Sequence, residues 1–329
     1  MRFKIGDINK AAIIFEKGQL SFEIKEHNFE ELRAVIPNLE ITIAPNETEL
    51  LKKTTDADMI MVWARNTPIQ FCRNAPSLKW VHSLIAGVEH LMVPEITGLD
   101  VVITNTSGIH KNPMSEYVLG MILSKMKRFP LLYRQQQGKI WIKPWTDEIQ
   151  GMTVGVLGLG NIGKEIARKC KIMGFGVLGY KRSHEDFEYT DKIYTDTDGL
   201  NELLANSDFV VSVLPSTPAT VNFMNKERFS GMKKGSYFIN VGRGITVDHS
   251  ALAWAVSGGM IGGAALDALH PEPLPEDSPL WNLENVIITP HMSADSPFYM
   301  DRAFKLLREN LERLARGEEL QNQIDTKLY

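Results

Sequence analysis

The sequence predicts an α/β protein built from two doubly wound parallel sheets, and three observations carry that expectation. Over the first hundred residues short apolar runs alternate with amphipathic segments. Residues 153–182 read as a strand, a glycine-rich turn, a helix and a second strand. From there to residue 289 apolar runs again alternate with helical segments, and a long amphipathic stretch follows near 297–316. Strands joined by helical crossovers pair in parallel and bury both faces under those helices. At 329 residues, 43% hydrophobic and 23% charged, the chain is long enough for two domains with cores of their own.

The first series comprises segments 11–15, 29–36, 39–44, 47–54, 58–63, 78–84 and 101–105, a βαβ rhythm. A strong helix is expected over 115–127, opened by the capping hydroxyl of Ser115, with Pro130 bending or ending it. Segment 131–150 carries Trp141 and Trp145 among polar residues and reads as an arm between elements or between subunits. The second series has strands at 153–158, 176–180, 208–214, 235–241, 262–267 and 285–289. Its helices fall at 161–173, 199–206, 225–231, 248–257 and 297–316, with Asp248 and Asp295 as candidate caps. The last helix follows the final strand, so it is expected to cross back onto the first domain. Connections near 108–113 and 293–297 would then form a hinge over a cleft where substrate and cofactor meet.

Composition excludes several classes. A net charge of −4 without a basic block offers no general attraction to nucleic acid. Cys72 and Cys170 are far apart and outside any CxxC pattern, so neither a disulfide framework nor a zinc site is expected, and a reducing, cytoplasmic setting is the default. Cys170 reads as a small core residue. The N-terminal apolar run is too short for a signal peptide, and no stretch approaches a membrane span.

The glycine turn Gly158-Leu159-Gly160-Asn161-Ile162-Gly163 is the most informative feature. Its strand–turn–helix setting is what a dinucleotide fingerprint requires. Gly158 permits the tight turn, Gly160 lets backbone amides approach a pyrophosphate, and Gly163 lets helix and strand pack closely. The pyrophosphate would sit at the positive end of the helix beside Asn161 and Ile162. An NAD site usually carries an acid at the end of the second strand, to accept from the ribose 2′-OH. Here that strand ends in Tyr180-Lys181-Arg182-Ser183, with no acid until Glu185. A guanidinium, an ammonium and a hydroxyl suit a 2′-phosphate, so NADP(H) is the expected cofactor, with NAD(H) possible. The alternative is that Lys181 and Arg182 are solvated loop residues.

Ligands gather beyond the carboxyl ends of parallel strands, and three such ends carry reactive side chains. One runs into Gly242-Arg243-Gly244, one into Asp267-Ala268-Leu269-His270-Pro271-Glu272, and one into Pro290-His291-Met292-Ser293. An arginine, a carboxylate and an imidazole can together reduce a carbonyl. Arg243 would grip a 2-oxo-carboxylate and polarise its carbonyl oxygen. His291 would deliver a proton to that oxygen, and Glu272 would orient the imidazole and stabilise its protonated form. The bland alternatives are a loop-capping histidine and a solvated turn carboxylate. His270 is the rival proton donor but shares a loop with Glu272. The histidines at 27, 82, 90, 110, 184 and 249 show no partner pattern.

These motifs, with Leu214-Pro215-Ser216-Thr217-Pro218, Asn240-Val241-Gly242-Arg243-Gly244, the Asp267 to Pro275 loop and Thr289-Pro290-His291, resemble the D-2-hydroxyacid dehydrogenase family in order and spacing along essentially the whole chain. The Lys181-Arg182-Ser183 ending, Ser278-Pro279-Leu280-Trp281 and the tail Asn322-Gln323-Ile324-Asp325 resemble its branch that reduces glyoxylate and hydroxypyruvate with NADPH. The resemblance implies Arg243, Glu272 and His291 as catalytic residues and a loop whose amides at Ala86, Gly87 and Val88 bind the substrate carboxylate. It implies a cofactor site that adds Leu214, Pro215, Val241, Gly242, Asp267 and Ser293 to the glycine turn and to Lys181, Arg182 and Ser183. It also implies a substrate-binding, flavodoxin-like domain at 1–112 plus 296–329, a Rossmann-like domain at 113–295 with a helical arm at 115–150, and a homodimer. The family more often has Ala or Ser at position 242, and an aromatic with a smaller neighbour where this chain has Leu269-His270. Trp63 is either part of the substrate wall or a core residue. Two other readings stay open: an NADH-dependent enzyme for bulkier 2-oxo acids such as phenylpyruvate, and a dinucleotide-sensing protein of the corepressor kind.

Overall fold

A computed structural model describes residues 3–16, 23–63, 66–183 and 185–326. The chain divides into two units, Met1–Ile109 with Asp295–Tyr329, and His110–Ala294. His184 lies outside the described residues.

In the first unit the sequence alternates β1 (Lys10–Ile14), α1 (Glu26–Arg33), β2 (Glu40–Ala44), α2 (Glu47–Lys53), β3 (Met59–Val62), α3 (Ile69–Asn74), β4 (Trp80–Ser83), α4 (Pro94–Thr97) and β5 (Val102–Asn105). The five strands pair in parallel in the order β2-β1-β3-β4-β5. Both faces are covered, which is why these strands read as unbroken apolar runs. Along β1, Ala11 and Ile13 point into a cluster with Phe29, while Ala12 and Ile14 point into one with Leu50 and Phe71. The helices α3 and α4 are too short to announce themselves by periodicity, and the sequence reading missed them.

The second unit opens with α5 (Lys111–Met126) and α6 (Phe129–Gln137). Ser115 does not cap α5. It sits inside the helix, and its hydroxyl donates to the Asn112 carbonyl at 2.8 Å. Pro130 does not end that helix either. Arg128 turns left-handed at φ 59° between the two helices, and Pro130 stands in the first turn of α6, where its missing N–H costs nothing. The chain continues through β6 (Thr153–Leu157), α7 (Asn161–Ile172), β7 (Gly176–Tyr180), β8 (Lys192–Tyr194), α8 (Thr197–Asn206), β9 (Phe209–Ser212), α9 (Lys226–Ser230), β10 (Tyr237–Asn240), α10 (His249–Ser257), β11 (Gly263–Leu266) and β12 (Val286–Ile288). The sheet is parallel, ordered β12-β11-β10-β9-β6-β7-β8, and its order reverses between β6 and β9. Only β8, three residues long, was not anticipated. Asp248 caps α10 as expected, accepting from the Ala251 amide at 2.9 Å. Cys170 and Cys72 are buried free thiols, and burial pushes both up to about 12.

The last helix, α11 (Tyr299–Ala315), belongs to the first unit, where Phe304 meets Phe29 edge-on at 5.9 Å. Its N-cap is Phe298 rather than Asp295. The tail then lies antiparallel along the open edge of β5, with the Ile324 amide donating to the Ile103 carbonyl at 2.9 Å. Trp63 is a core residue, edge-on to Phe15 at 5.5 Å and to Tyr299 at 5.3 Å. Among the described residues no helix is long and apolar enough to cross a membrane.

Candidate active site

The glycine turn joins β6 to α7, and each glycine has a separate steric reason. Gly158 has φ 99°, which side chains rarely adopt. A Cβ at Gly163 would lie 1.9 Å from the Gly158 carbonyl oxygen, so only glycine lets the helix approach the turn. Around Gly160 nothing lies within 4 Å of the Cβ position. The first helical bond of α7 runs from Lys164 to the Gly160 carbonyl at 2.9 Å. The amides of Asn161, Ile162 and Gly163 therefore lack helical acceptors. Open backbone at a twelve-residue helix N-terminus fits a pyrophosphate. Gly242, at the end of β10, closes against the end of β9, and a Cβ there would meet the Leu214 amide nitrogen at 2.8 Å and its carbonyl oxygen at 2.7 Å. Leu214 and Val241 are buried alongside, and Pro215 follows on the surface.

Beyond β7 the ribose-side residues are not arranged as a simple cationic patch. Arg182 and Ser183 are exposed. Lys181 pairs with Glu185 at 2.5 Å, and the other Glu185 oxygen pairs with Lys164 at 2.5 Å. Those two hydrogen bonds, Lys164 first, hold the Glu185 carboxyl down to about 2.

The three strand ends expected to carry the chemistry are locked together by backbone contacts. Arg243 is half-buried, and its guanidinium donates to the Gly242 carbonyl at 3.1 Å. The Arg243 carbonyl accepts from Thr246 at 2.6 Å and from the buried Asn240 side chain, which also donates to the Ala268 carbonyl at 3.1 Å. A Cβ at Gly244 would stand 1.9 Å from the Leu269 carbonyl carbon, so the β10 and β11 loops touch directly.

Asp267, 1% exposed at the end of β11, organises the loop after β12. One carboxylate oxygen accepts from Thr289 at 2.6 Å and the Met292 amide at 2.8 Å, and the other accepts from the Ser293 amide at 2.8 Å. The Asp267 carbonyl accepts from the His291 amide at 3.0 Å, and His291 itself is left-handed at φ 53°. That geometry brings His291 Nδ1 to 3.0 and 2.9 Å from the two Glu272 oxygens. Glu272 is steadied in turn by the Leu269 amide at 2.9 Å. The other ring nitrogen, Nε2, takes no hydrogen bond among the described residues, and the imidazole is 48% exposed. His270 is also exposed but is not braced by Glu272.

In the first unit, the loop after β4 is held by its carbonyls. Tyr299 donates to the Leu84 carbonyl at 2.9 Å, Ser83 to the Ile85 and Gly87 carbonyls at 3.0 and 3.3 Å, and Asn105 to the Ala86 carbonyl at 2.6 Å. The amides of Ala86, Gly87 and Val88 have no acceptor among the described residues. Donors left unpaired in a turn are free to hold an anion.

The sequence reading missed several supporting residues. Tyr117 on α5 shares a 2.6 Å hydrogen bond with Thr289, and burial pushes its phenol up to about 12. Asn105 and Asn240 are each the last residue of a buried strand, so an amide side chain ending an apolar run is their signal in the sequence. His27 pairs with Asp301 at 2.7 Å, a partner 274 residues away that no local pattern shows. His82 is sealed in the core with Nδ1 2.6 Å from Thr104, and burial pushes it down to about 3.

The chain is similar to known proteins over most of its length. The family model described as the NAD binding domain of D-isomer specific 2-hydroxyacid dehydrogenase matches residues 119–293. A glyoxylate reductase of Thermofilum pendens is 32% identical over 284 residues, covering 83% of each chain. A D-isomer specific 2-hydroxyacid dehydrogenase family protein of Aeromonas salmonicida superposes with TM-score 0.84 at 34% identity, over 97% of this chain and 99% of that one. An NADPH-dependent glyoxylate/hydroxypyruvate reductase of Sinorhizobium meliloti, solved with NADP and sulfate, superposes with TM-score 0.80 at 29% identity, over 97% and 99%.

Proposed function

From its membership of the D-isomer-specific 2-hydroxyacid dehydrogenase family, to which this chain belongs as an NAD(P)-dependent oxidoreductase, we propose that it reduces small 2-oxo acids, glyoxylate and hydroxypyruvate first, with NADPH. The product is the 2-hydroxy acid, of D configuration where a stereocentre forms. The observation that carries the reading is the imidazole of His291, held by Glu272 at 2.9 Å with Nε2 left open. The glyoxylate reductases among its relatives support the substrate class, and the Sinorhizobium enzyme supports the cofactor.

A bound nicotinamide supplies the hydride. Every other step falls to the protein's own residues. The Arg243 guanidinium holds the substrate carboxylate as a two-pronged donor and polarises the carbonyl oxygen. His291 enters protonated and delivers its proton from Nε2 to that oxygen. Glu272 accepts from Nδ1 and fixes the ring, which leaves Nε2 as the atom that donates. The role proposed for Ala86, Gly87 and Val88 is the one their unpaired amides allow, binding a carboxylate. Gly158, Gly160, Asn161, Ile162 and Gly163 cradle the pyrophosphate, and Lys181, Arg182 and Ser183 the 2′-phosphate. Leu214, Pro215, Val241, Gly242, Asp267 and Ser293 line the remainder of the cofactor site. Trp141 and Trp145, 102% and 87% exposed on the arm, support a homodimer in which a second copy covers them. The two reduced, buried thiols support a cytoplasmic setting.

The test is oxidation of NADPH and of NADH against glyoxylate, hydroxypyruvate, pyruvate and phenylpyruvate. Turnover is expected to be highest with NADPH and with glyoxylate and hydroxypyruvate. Preference for phenylpyruvate with NADH would replace the reading.

A further inference from the structure

Three charged side chains beyond the glycine turn form a unit of which the reading above uses only Lys181. Lys164, the fourth residue of α7, and Lys181, the first residue after β7, come from different elements, yet one carboxylate joins them. Glu185 reaches both at 2.5 Å, one oxygen to each. Lys164 also lies over the Phe187 ring, 5.5 Å from its centroid. The cations are the sheltered members, 32% and 19% exposed, and the carboxylate at 48% is the outermost. Arg182 stands exposed next to Lys181.

We infer that Lys164, Lys181 and Arg182 form the 2′-phosphate subsite and that Glu185 is its resident counter-anion, setting how strongly a 2′-phosphorylated dinucleotide is preferred. The inference rests on the NADPH reading above. A carboxylate brings one negative charge and two acceptor oxygens to the lysines. A phosphate monoester brings about −1.5 to −2 and three oxygens. The phosphate is thus the better partner for the same two ammonium groups. Exposed ion pairs contribute little net free energy, so the exchange of one anion for the other has a small barrier to overcome. What opposes it is the Glu185 charge, which remains close to the incoming phosphate and repels it. A ribose 2′-OH is neutral, displaces nothing, and leaves both lysine pairs intact. Glu185 therefore weakens NADPH and leaves NADH unaffected. Lys164, absent from the linear pattern Lys181-Arg182-Ser183, enters the subsite only through this bridge.

Calorimetric titration of the full chain tests this without catalysis, using 2′,5′-ADP, 5′-AMP, NADPH and NADH as probes. Glu185→Gln is expected to tighten 2′,5′-ADP and NADPH about fivefold, and to move 5′-AMP and NADH by less than about twofold. Lys164→Met is expected to weaken the 2′-phosphorylated pair about tenfold, and the gain from Glu185→Gln should shrink in that background, because the two residues share a contact. Both positions are partly exposed, and unchanged melting temperatures would show that the variants fold. If the wild type prefers NADPH but Glu185→Gln leaves 2′,5′-ADP binding unchanged or weaker, the cofactor reading stands and the counter-anion is wrong. If Glu185→Gln tightens NADH as much as NADPH, the counter-anion is likewise wrong. If the wild type binds 2′,5′-ADP no better than 5′-AMP, and Arg182→Ala moves neither, both ideas fall.

Discussion

Two loops at strand ends, one in each unit, are pinned in opposite senses. After β4, side chains from Ser83, Asn105 and Tyr299 occupy the loop's carbonyls, and the amides of Ala86, Gly87 and Val88 are left over. After β12, the Asp267 carboxylate occupies the amides of Met292 and Ser293, and the His291 side chain is what remains. Donors hold the first loop and an acceptor holds the second. The chemistry each offers follows from that choice: unpaired amides attract an anion, whereas a fixed backbone aims an imidazole. The pinning residue decides what kind of group a loop presents, as much as the loop's own sequence does.

The contrast is broken most severely at the imidazole. His291→Ala is expected to lower kcat about 10³-fold, within the span of general acid catalysis, while NADPH binding measured by titration survives. Undiminished turnover would remove His291 from the mechanism. Next in size is the acceptor that holds the second loop. Asp267→Ala leaves the Met292 and Ser293 amides without their acceptor and the Thr289 hydroxyl with Tyr117 alone, at a cost of about 3 kcal/mol in folding stability and about 10²-fold in kcat. A denaturation midpoint unchanged from wild type would contradict this account of the loop.

Loss of a donor that holds the first loop should act on a different parameter. Asn105→Ala is expected to raise KM for the oxo acid about tenfold with a smaller change in kcat, because a displaced amide weakens ground-state binding of the carboxylate. A fall in kcat at constant KM would reverse the roles assigned to the two loops. The effect furthest from the site concerns His82, the buried counterpart of His291. Burial pushes His82 from 6.5 down to about 3, so below pH 6.5 the unfolded chain binds a proton that the folded chain refuses. The stability associated with it is complete above pH 6.5 and is lost as pH falls toward 3, by at most about 1.4 kcal/mol per pH unit. Urea titrations at pH 7 and pH 5 should show a shallower loss for His82→Gln, and an identical loss would exclude this histidine.

Much of this architecture could be read from the residues. The parallel strands announce themselves because both of their faces are buried, which forces unbroken apolar runs such as Ala11 to Ile14. The glycine turn is equally legible, since a residue at φ 99° and a helix packed against the Gly158 carbonyl admit only glycine. Helix boundaries were less so. Ser115 has the chemistry of a cap but lies within α5, where its hydroxyl turns back to Asn112. Asp295 has the same chemistry and does not cap α11. Local capping propensity indicates what a residue can do and not whether the chain begins a helix there.

The amino-acid sequence by itself determined the two parallel sheets, the dinucleotide turn and the residue types standing at each strand end. These follow from hydrophobic periodicity and backbone sterics within a few residues. Only the tertiary structure decided which of those strand-end groups meet. β11 and β12 are neighbours in the sheet, which brings Asp267 to Ser293 and Glu272 to His291. The turn after β7 brings Glu185 between two lysines. Three of these hydrogen bonds, Asp267 to Ser293, Glu272 to His291 and Glu185 to Lys164, join groups 26, 19 and 21 residues apart, and such pairs depend on strand order and register, which no local pattern encodes.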